Sequence, residues 1–201
     1  MSTVRRSCIV MLTAAVFPAA MAAGGDAMYK GKSAQAWIQE LAKGNMDAFF
    51  ALTGPEKDAA AVLEEMLGSE HSPVRGVAAQ GLAEIAADAV SAAGPLGRAL
   101  KDKNLNVRYY AAQGLGKMGA AAAPAVPDLI AALDTHPSRE PNLEGPPRYY
   151  KDARSVAAEA LGAIGPPAKA ALPKLREVVA RDDEAEVREA AAAAVKKIEA
   201  K

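Results

Sequence analysis

Cysteine, histidine and aromatic residues are scarce in this chain. Its 201 residues include one cysteine and two histidines, and aromatic residues make up 4%. Cys8 lies near the N-terminus, and neither His71 nor His136 has a second histidine or a cysteine at metal-ligand spacing. These shortages exclude a disulfide framework and argue against a metal site. We therefore expect no metal and no cofactor.

The residue patterns of common catalytic sites are missing as well. No Gly-x-Ser-x-Gly motif occurs, and both histidines lie in predicted loops without an evident acidic partner. The carboxylate runs at 64–65 and 182–184 are typical of solvated helix faces and turns. Glycines 114, 116 and 119 lie within and after a predicted helix, so we interpret them as packing and capping glycines. The sequence therefore predicts a protein that is not an enzyme.

The charges are balanced. The chain contains 24 Lys and Arg residues and 24 Asp and Glu residues, a formal net charge of +0. Nucleic-acid binding ordinarily requires a strongly basic face, because phosphate contacts dominate the affinity. We expect no nucleic-acid partner.

Residues 1–22 have the pattern of a secretory signal peptide. Arg5 and Arg6 precede an apolar run over 8–17, and the stretch Ala20-Met21-Ala22 has the small-x-small form of a cleavage site. The apolar run is shorter than the roughly 20 residues of a membrane span. We expect cleavage and export to the periplasm or exterior, by the general or the twin-arginine route, with no membrane insertion afterwards.

Cleavage would change the composition of the mature chain. Loss of Arg5 and Arg6 lowers the Lys and Arg count from 24 to 22 against 24 acidic residues, which gives a formal charge of −2. Cys8 is lost too, so no disulfide can form in an oxidising compartment. Cys8 also precedes most of the apolar run, which argues against lipidation.

One stretch of sequence recurs along the chain. Each copy has a leucine, or in the last copy a valine, seven residues after a shared arginine, and this residue marks the repeat. The spacing is 33 residues from Leu82 to Leu115, 46 from Leu115 to Leu161, and 34 from Leu161 to Val195. The period is thus about 33 to 34 residues, with a 13-residue insertion after the third unit. The copies are SPVRGVAAQGLAEIA (72–86), LNVRYYAAQGLGKMG (105–119), KDARSVAAEALGAIG (151–165) and EVREAAAAAVKKI (186–198).

Each unit reads as two helices. Apolar residues at helical spacing lead to a glycine at 119 or 165, which suits a helix C-terminus. A turn rich in Pro and Ala follows, and Pro127 or Pro173 is tolerated near the start of the next helix. About a quarter of the residues are alanine, which favours helix and close helix approach. The pattern predicts an all-α solenoid of stacked helical hairpins.

The pattern VR, AA, LG, IG and then AxxAxPxL resembles the HEAT-repeat family, specifically the short HEAT-like repeats of the phycobilisome-lyase type. The resemblance covers roughly residues 46–201 and implies an α-solenoid. It also implies one enzymatic alternative, bilin attachment or detachment, for which an export signal is a poor fit. The iron-binding His-Glu pairs of HEAT-like deoxyhypusine hydroxylases are not present, since only the reversed Glu70-His71 occurs.

The predicted organisation follows from these units. After the signal peptide we expect a flexible mature N-terminus over 23–32 and a HEAT-like solenoid over 33–201. The predicted segments of the solenoid are a cap helix 33–43, a degenerate repeat 45–70, repeats 72–104, 105–134 and 151–183, an insertion 135–150 and a terminal capping helix 185–200.

A recurrent arginine marks the start of each first helix. Stacking against neighbouring units is common to all repeats, so a residue that recurs in every repeat is expected to support stacking. We therefore predict that the recurrent arginines form a structural ladder along the stack and not an anion-binding site. Asp102 and Asp182 each lie six residues before an arginine and are candidates to bridge successive units. The ladder residues are Arg75, Arg108, Arg154 and Arg188.

The insertion is the candidate functional segment. A long irregular connection in a compact array is uncommon unless it has a function or is disordered. Arginine and tyrosine are enriched at binding hot spots, and Tyr109-Tyr110 begin the preceding first helix, so we predict a partner-binding edge. The alternative is that the tyrosines only pack the loop onto the solenoid. The predicted contact residues are Arg139, Arg148, Tyr149, Tyr150, Tyr109 and Tyr110.

These features predict a non-catalytic scaffold or adaptor that binds another protein in the cell envelope or exterior. The alternative is a lyase-like or accessory factor that acts on a cofactor-bearing protein.

Overall fold

The computed structural model describes residues 27–135 and 151–200, which form a succession of short helical hairpins stacked side by side. The predicted all-α solenoid is confirmed. Its α-helices are α1 (Ala34–Ala42), α2 (Met46–Leu52), α3 (Ala60–Met66), α4 (Ser72–Glu84), α5 (Ala93–Ala99), α6 (Leu105–Met118), α7 (Val126–Ala132), α8 (Ala153–Ile164), α9 (Leu172–Arg181) and α10 (Ala185–Glu199).

Residues 28–33, which overlap the segment 23–32 expected to be flexible, form a short hairpin at the N-terminal end of the described chain. Strands β1 (Met28–Tyr29) and β2 (Lys32–Ser33) form an antiparallel hairpin, with Lys30 and Gly31 at positive φ in the turn. Tyr29 is only 3% exposed, and its ring lies 5.8 Å from that of Trp37. The indole Nε1 donates to the Tyr29 carbonyl at 3.1 Å. Burial of this tyrosine orders the segment.

Helix α1 closes the N-terminal end as the predicted cap. Ser33 accepts a hydrogen bond from the backbone N–H of Ala36, the geometry of an N-cap. Asn45 caps α2 in the same way, with its side chain accepting from Asp47 and Ala48. Helices α1, α2 and α3 pack together, and α2 also contacts α4. The shortened first unit therefore joins the cap to the regular repeats.

The regular units repeat one local design. A long first helix (α4, α6 or α8) is followed by a 3₁₀ segment and a second helix (α5, α7 or α9). Gly119 and Gly165 end α6 and α8 at φ of 56° and 73°, which glycine adopts without strain. Pro127 and Pro173 lie at the second position of their helices, where no intrahelical donor is lost.

Consecutive first helices meet through pairs of small residues. A Cβ atom on Gly114 would lie 3.2 Å from the Cα of Ala83, and one on Gly162 would lie 2.9 Å from the Cα of Ala194. The corresponding distance from Gly116 to the Cα of Ala160 is 3.3 Å. In each pair a glycine faces an alanine, so the helices approach more closely than larger side chains would permit. We call these three contacts the glycine–alanine seam.

The core is continuous along the stack. Its largest fully buried side chains are mainly leucines contributed by successive helices, and they alternate with buried alanines. Each unit thus buries its apolar face only against its neighbours, as expected of a solenoid. Within 27–135 and 151–200, helices that combine the length and the apolar character of a membrane span are not found.

Candidate functional site

One long edge of the solenoid collects the residues predicted to matter. It consists of the first turns of α4, α6, α8 and α10 together with the loops that lead into them. The insertion leaves and re-enters the solenoid at this edge, between Thr135 and Lys151. We call it the arginine edge, after the ladder residues that begin there.

Arg75 ties the first helix of the second unit to the loop that leads into the third unit. Its Nε donates to Asp102 Oδ2 at 2.6 Å and its Nη2 to Oδ1 at 2.9 Å, a bidentate pair. The same guanidinium donates to the carbonyls of Ser69 and Glu70 at 2.9 and 3.0 Å. With both side chains about nine-tenths buried, this pair fixes the loop after α5 against α4.

Arg154 has the same role two ladder positions further along, in α8. Its side chain is 3% exposed and contacts Asp152 at 2.7 Å and Asp182 at 2.6 Å. Burial opposes the charge, yet the ion pairs with both aspartates outweigh it, so the pKa of the guanidinium is raised. The carboxylates of Asp102 and Asp182 thus each pair with the arginine of their own unit.

The other two ladder arginines bind backbone. Arg108 Nε donates to the carbonyl of Asp102. Arg188 Nη1 donates to the carbonyls of Asp182 and Asp183 at 2.6 and 3.0 Å. Each arginine thus holds the loop that precedes its own helix, and Arg75 and Arg154 also reach the loop that leads into the following unit. Asp102 and Asp182 therefore bridge successive units, the carboxylate accepting from one arginine and the carbonyl from the next. These contacts favour the structural interpretation of the ladder over an anion site.

The tyrosine pair lies beside the ladder. Tyr109 and Tyr110 are half-buried in the first turns of α6, with ring centroids 5.2 Å apart in an edge-to-face arrangement. Gln113 Nε2 donates to the Tyr109 hydroxyl at 3.3 Å. Tyr109 occupies the position held by Gly76 in α4 and Ser155 in α8. A large aromatic side chain therefore stands at the one unit boundary that carries the insertion.

Lys151 completes a polar cluster at this boundary. Its Nζ lies 3.0 Å from Glu159 Oε1 and 4.0 Å from Glu186 Oε1. The hydrogen bond to Glu159 is the main reason that the pKa of Lys151 is raised, and the charge of Glu186 and the Tyr109 phenol add to it. The first residue after the insertion is thus close enough to Tyr109 for their charges to interact. The remaining predicted contact residues, 139 and 148–150, lie outside the described part of the chain.

A polar cleft of about 220 Å³ opens beside the other end of the insertion. Lys174 Nζ lies in it, 2.5 Å from Asp134 and 3.2 Å from Glu177, and mainly the hydrogen bond to Asp134 raises the lysine pKa. Sequence reasoning missed this cleft, because its residues come from three helices with no shared motif. Its lining includes Leu133, Asp134, Arg154, Lys174, Arg181 and Asp182.

The second helices carry charges that neutralise one another. Lys101 of one unit contacts Asp128 of the next at 2.8 Å, and Gly97 leaves the space that this aspartate occupies. Arg176 of α9 contacts Glu199 of α10 at 2.5 Å. No group of three or more His, Cys, Asp or Glu side chains suited to a metal occurs in the described ranges. The arginine edge is therefore the candidate site.

The stacked hairpins and their arginine ladder define an α-solenoid of HEAT-like repeats. Residues 55–141 match the family model of HEAT repeats, and residues 153–181 match that of the PBS lyase HEAT-like repeat. The predicted resemblance to HEAT-like repeats thus agrees with the fold. The family-model matches do not bear on export. A search of curated proteins finds no match.

Several solved structures share the architecture. One is the complex of CpcE and CpcF of phycocyanin lyase from Nostoc sp. PCC7120, with 25% identity, a TM-score of 0.58, and 90% of this chain and 70% of that chain covered. An engineered protein matches with 21% identity, a TM-score of 0.54 and coverages of 83% and 84%. A designed armadillo repeat protein matches with 16% identity, a TM-score of 0.50 and coverages of 82% and 86%. The last two likenesses show the fold alone.

Proposed function

We propose that this chain is a non-catalytic scaffold or adaptor of the cell envelope or exterior, and that it binds another protein through the arginine edge. The observation that carries the proposal is the placement of Tyr109, Tyr110 and Lys151 at the unit boundary where the insertion re-enters. Regular stacking continues across this boundary, so the stack itself does not require the extra residues. A segment that the fold does not need is free to serve recognition.

Capture of a partner tests the edge. Tagged chain is used to capture proteins from an envelope extract, and the recovered proteins are compared with those captured by a variant carrying Arg139→Ser and Arg148→Ser. A second variant carries Tyr109→Ser and Tyr110→Ser. The matched control is Arg98→Ser, since Arg98 is an exposed arginine on α5, away from the edge. Loss of one partner in both edge variants, with retention in the control, is the expected result. Undiminished capture would reject this edge.

Export is tested separately. Cell fractionation should recover the chain outside the cytoplasm, and its intact mass should correspond to removal of about 22 residues. A cytoplasmic chain that retains residues 1–22 would contradict the envelope location without affecting the test of the edge.

A second candidate function is a lyase-like or accessory role on a cofactor-bearing protein. It is favoured by the match of 153–181 to the PBS lyase HEAT-like repeat and by the likeness to a phycocyanin lyase complex. Purified chain is incubated with a bilin and a phycocyanin subunit, and the absorption spectrum of the protein-bound bilin is followed. A covalently attached bilin that survives denaturation would support this role over the scaffold.

A further inference from the structure

The same ion pair joins successive second helices on each side of the third unit. Lys101, two residues after the end of α5, lies 2.8 Å from Asp128 of α7. Asp134, two residues after the end of α7, lies 2.5 Å from Lys174 of α9. Asp134 follows Lys101 by 33 residues and Lys174 follows Asp128 by 46, which are the spacings of the repeat. Equivalent positions are therefore paired at both boundaries, with the signs of the charges exchanged.

The chain also leaves α7 as it leaves α5. The N–H groups of Asp134 and Thr135 donate to the carbonyls three residues before them at 3.1 and 3.2 Å, and those of Lys101 and Asp102 do so at 3.2 and 3.1 Å. After Asp102 a short connection leads into α6, whereas after Thr135 the insertion begins. The insertion therefore starts from a regular helix end.

Lys174 holds that helix end from the following unit. It is 21% exposed and lies between the carboxylates of Asp134 and Glu177, so its side chain is confined although Asp134 is 65% exposed. An ion pair at this degree of exposure adds little to the stability of the whole fold. The end of a helix opens at a much lower cost than the fold, so the same pair has a large influence on how often this end opens.

The other end of the insertion is held from the following helices as well. Lys151 contacts Glu159 of α8 at 3.0 Å and Glu186 of α10 at 4.0 Å. This contact belongs to the interrupted boundary alone, because the equivalent positions of the other units carry no charge, namely Ser72, Leu105 and Ala185. Both points at which the insertion joins the stack are thus fixed by a lysine and a carboxylate.

We propose that Lys174 is a positioning residue for the partner-binding edge, because by holding Asp134 it fixes the point at which the insertion leaves the stack. The inference rests on the partner-binding role proposed above and extends that role to α9, which lies outside the arginine edge. Recognition at the insertion then depends on the unit that follows it.

Amide hydrogen exchange tests the contact without a partner. In the full chain, Lys174→Met should raise the exchange rates of the Asp134 and Thr135 amides by roughly two- to fivefold, the factor expected for an exposed ion pair. The midpoint of urea unfolding should stay unchanged. The matched control is Lys101→Met, which removes the equivalent pair and should speed exchange at the end of α5 but not at Asp134.

Exchange of the charges tests whether the ion pair is responsible. Asp134→Lys alone sets two lysines against each other, and Lys174→Asp alone places three carboxylates together, so each should speed exchange at Thr135. The double variant has the polarity of Lys101 and Asp128 and should return the rates toward those of the wild type. A role of side-chain bulk alone would not be restored in this way.

Capture from the envelope extract tests the consequence for recognition. Lys174→Met should recover less of the partner than the wild type does, whereas Lys174→Arg, which keeps the charge, and the control Lys101→Met should recover as much. Undiminished capture by Lys174→Met, despite faster exchange, would reject the positioning role.

Two further results would overturn the inference. Unchanged exchange at Asp134 and Thr135 in Lys174→Met would show that the lysine does not hold the end of α7. A wild-type chain that captures no partner would reject the proposed function together with the positioning role, while the exchange rates would still decide whether Lys174 holds α7.

Discussion

Single arginines hold the loops of this solenoid in place, and their surroundings differ enough to give different energetic effects. Arg154 is 3% exposed and contacts two carboxylates, whereas Arg188 is more exposed and contacts carbonyl groups. Removing one member of a buried ion pair leaves an uncompensated charge, which costs far more than losing a hydrogen bond at the surface.

Arg154→Met should therefore lower the free energy of unfolding by about 3 kcal/mol or more. Arg188→Met, the matched change at the equivalent position, should lower it by about 1 kcal/mol. Urea unfolding followed by circular dichroism measures both values. Equal losses in the two variants would show that the carboxylates of Asp152 and Asp182 do not need the arginine.

Glu56 gives the N-terminal hairpin a dependence on pH. It accepts hydrogen bonds from the Tyr29 hydroxyl at 2.7 Å and from Lys30 at 2.9 Å, and these bonds lower its pKa, that of Tyr29 contributing most. A group whose pKa is lowered by folding stabilises the folded state above its unfolded pKa, and this stabilisation disappears as the pH falls through the folded pKa.

Acidification below the ordinary pKa of a glutamate should thus loosen the hairpin before the rest of the solenoid unfolds. Trp37 is the only tryptophan and contacts Tyr29, so its fluorescence emission reports this change. Glu56→Gln should reduce the acid-dependent shift in emission, whereas Glu65→Gln, an exposed change on α3, should leave it unchanged. A wild-type emission that stays constant through this pH range would contradict the role of Glu56.

At the scale of the elements, the contact between first helices depends on small residues at two fixed positions. Glycine inside a helix usually costs about 0.5–1 kcal/mol relative to alanine. In the glycine–alanine seam this cost is offset because the glycine lets two first helices approach closely. A glycine of a first helix that lies outside the seam has no such compensation.

Two glycine-to-alanine changes separate these effects. Gly162→Ala places a Cβ 2.9 Å from the Cα of Ala194, so we expect a loss of roughly 1–3 kcal/mol in the free energy of unfolding. Gly76→Ala, within α4 and with no atom near its added Cβ, should instead raise that free energy by about 0.5–1 kcal/mol. Thermal unfolding of both variants distinguishes the signs. A stabilised Gly162→Ala chain would show that α8 and α10 are not in close contact.

Helices could be predicted well from the sequence because their signals are local. Gly119 and Gly165 end their helices, and Pro127 and Pro173 lie in first turns, as the sequence predicts. The hairpin at 28–33 could not be predicted in this way. Its order depends on the contacts of Tyr29 with Trp37, Ala51 and Glu56, up to 27 residues away in sequence.

The candidate site was only partly predictable. The recurrence of arginine and aspartate identified these contacts, because Asp102 and Asp182 occupy the same place before Arg108 and Arg188. The polar cleft arises from the relative placement of α7, α8 and α9, which leaves no periodic signal in the sequence.

For the whole molecule, the decisive fact is that stacking continues across the insertion. The distance from an added Cβ on Gly116 to Ala160 Cα is 3.3 Å at the interrupted boundary, against 3.2 Å for Gly114 and Ala83 at an uninterrupted one. The solenoid therefore places the third and fourth units as it places the second and third.

Deleting residues 139–148 should accordingly change the melting temperature by no more than about 4 °C, which corresponds to roughly 1 kcal/mol or less. Circular dichroism during heating measures it, with the intact chain as reference. A much larger decrease in melting temperature would show that the insertion contributes to folding. It would then weaken the proposal that the insertion serves partner recognition.

Because the glycine–alanine seam pairs the same two positions at every joint, the units are interchangeable at their borders. A duplicated copy of residues 72–104 inserted after itself would meet compatible neighbours on both sides. Unequal recombination within the gene could then lengthen or shorten the protein by whole units without redesign of any joint.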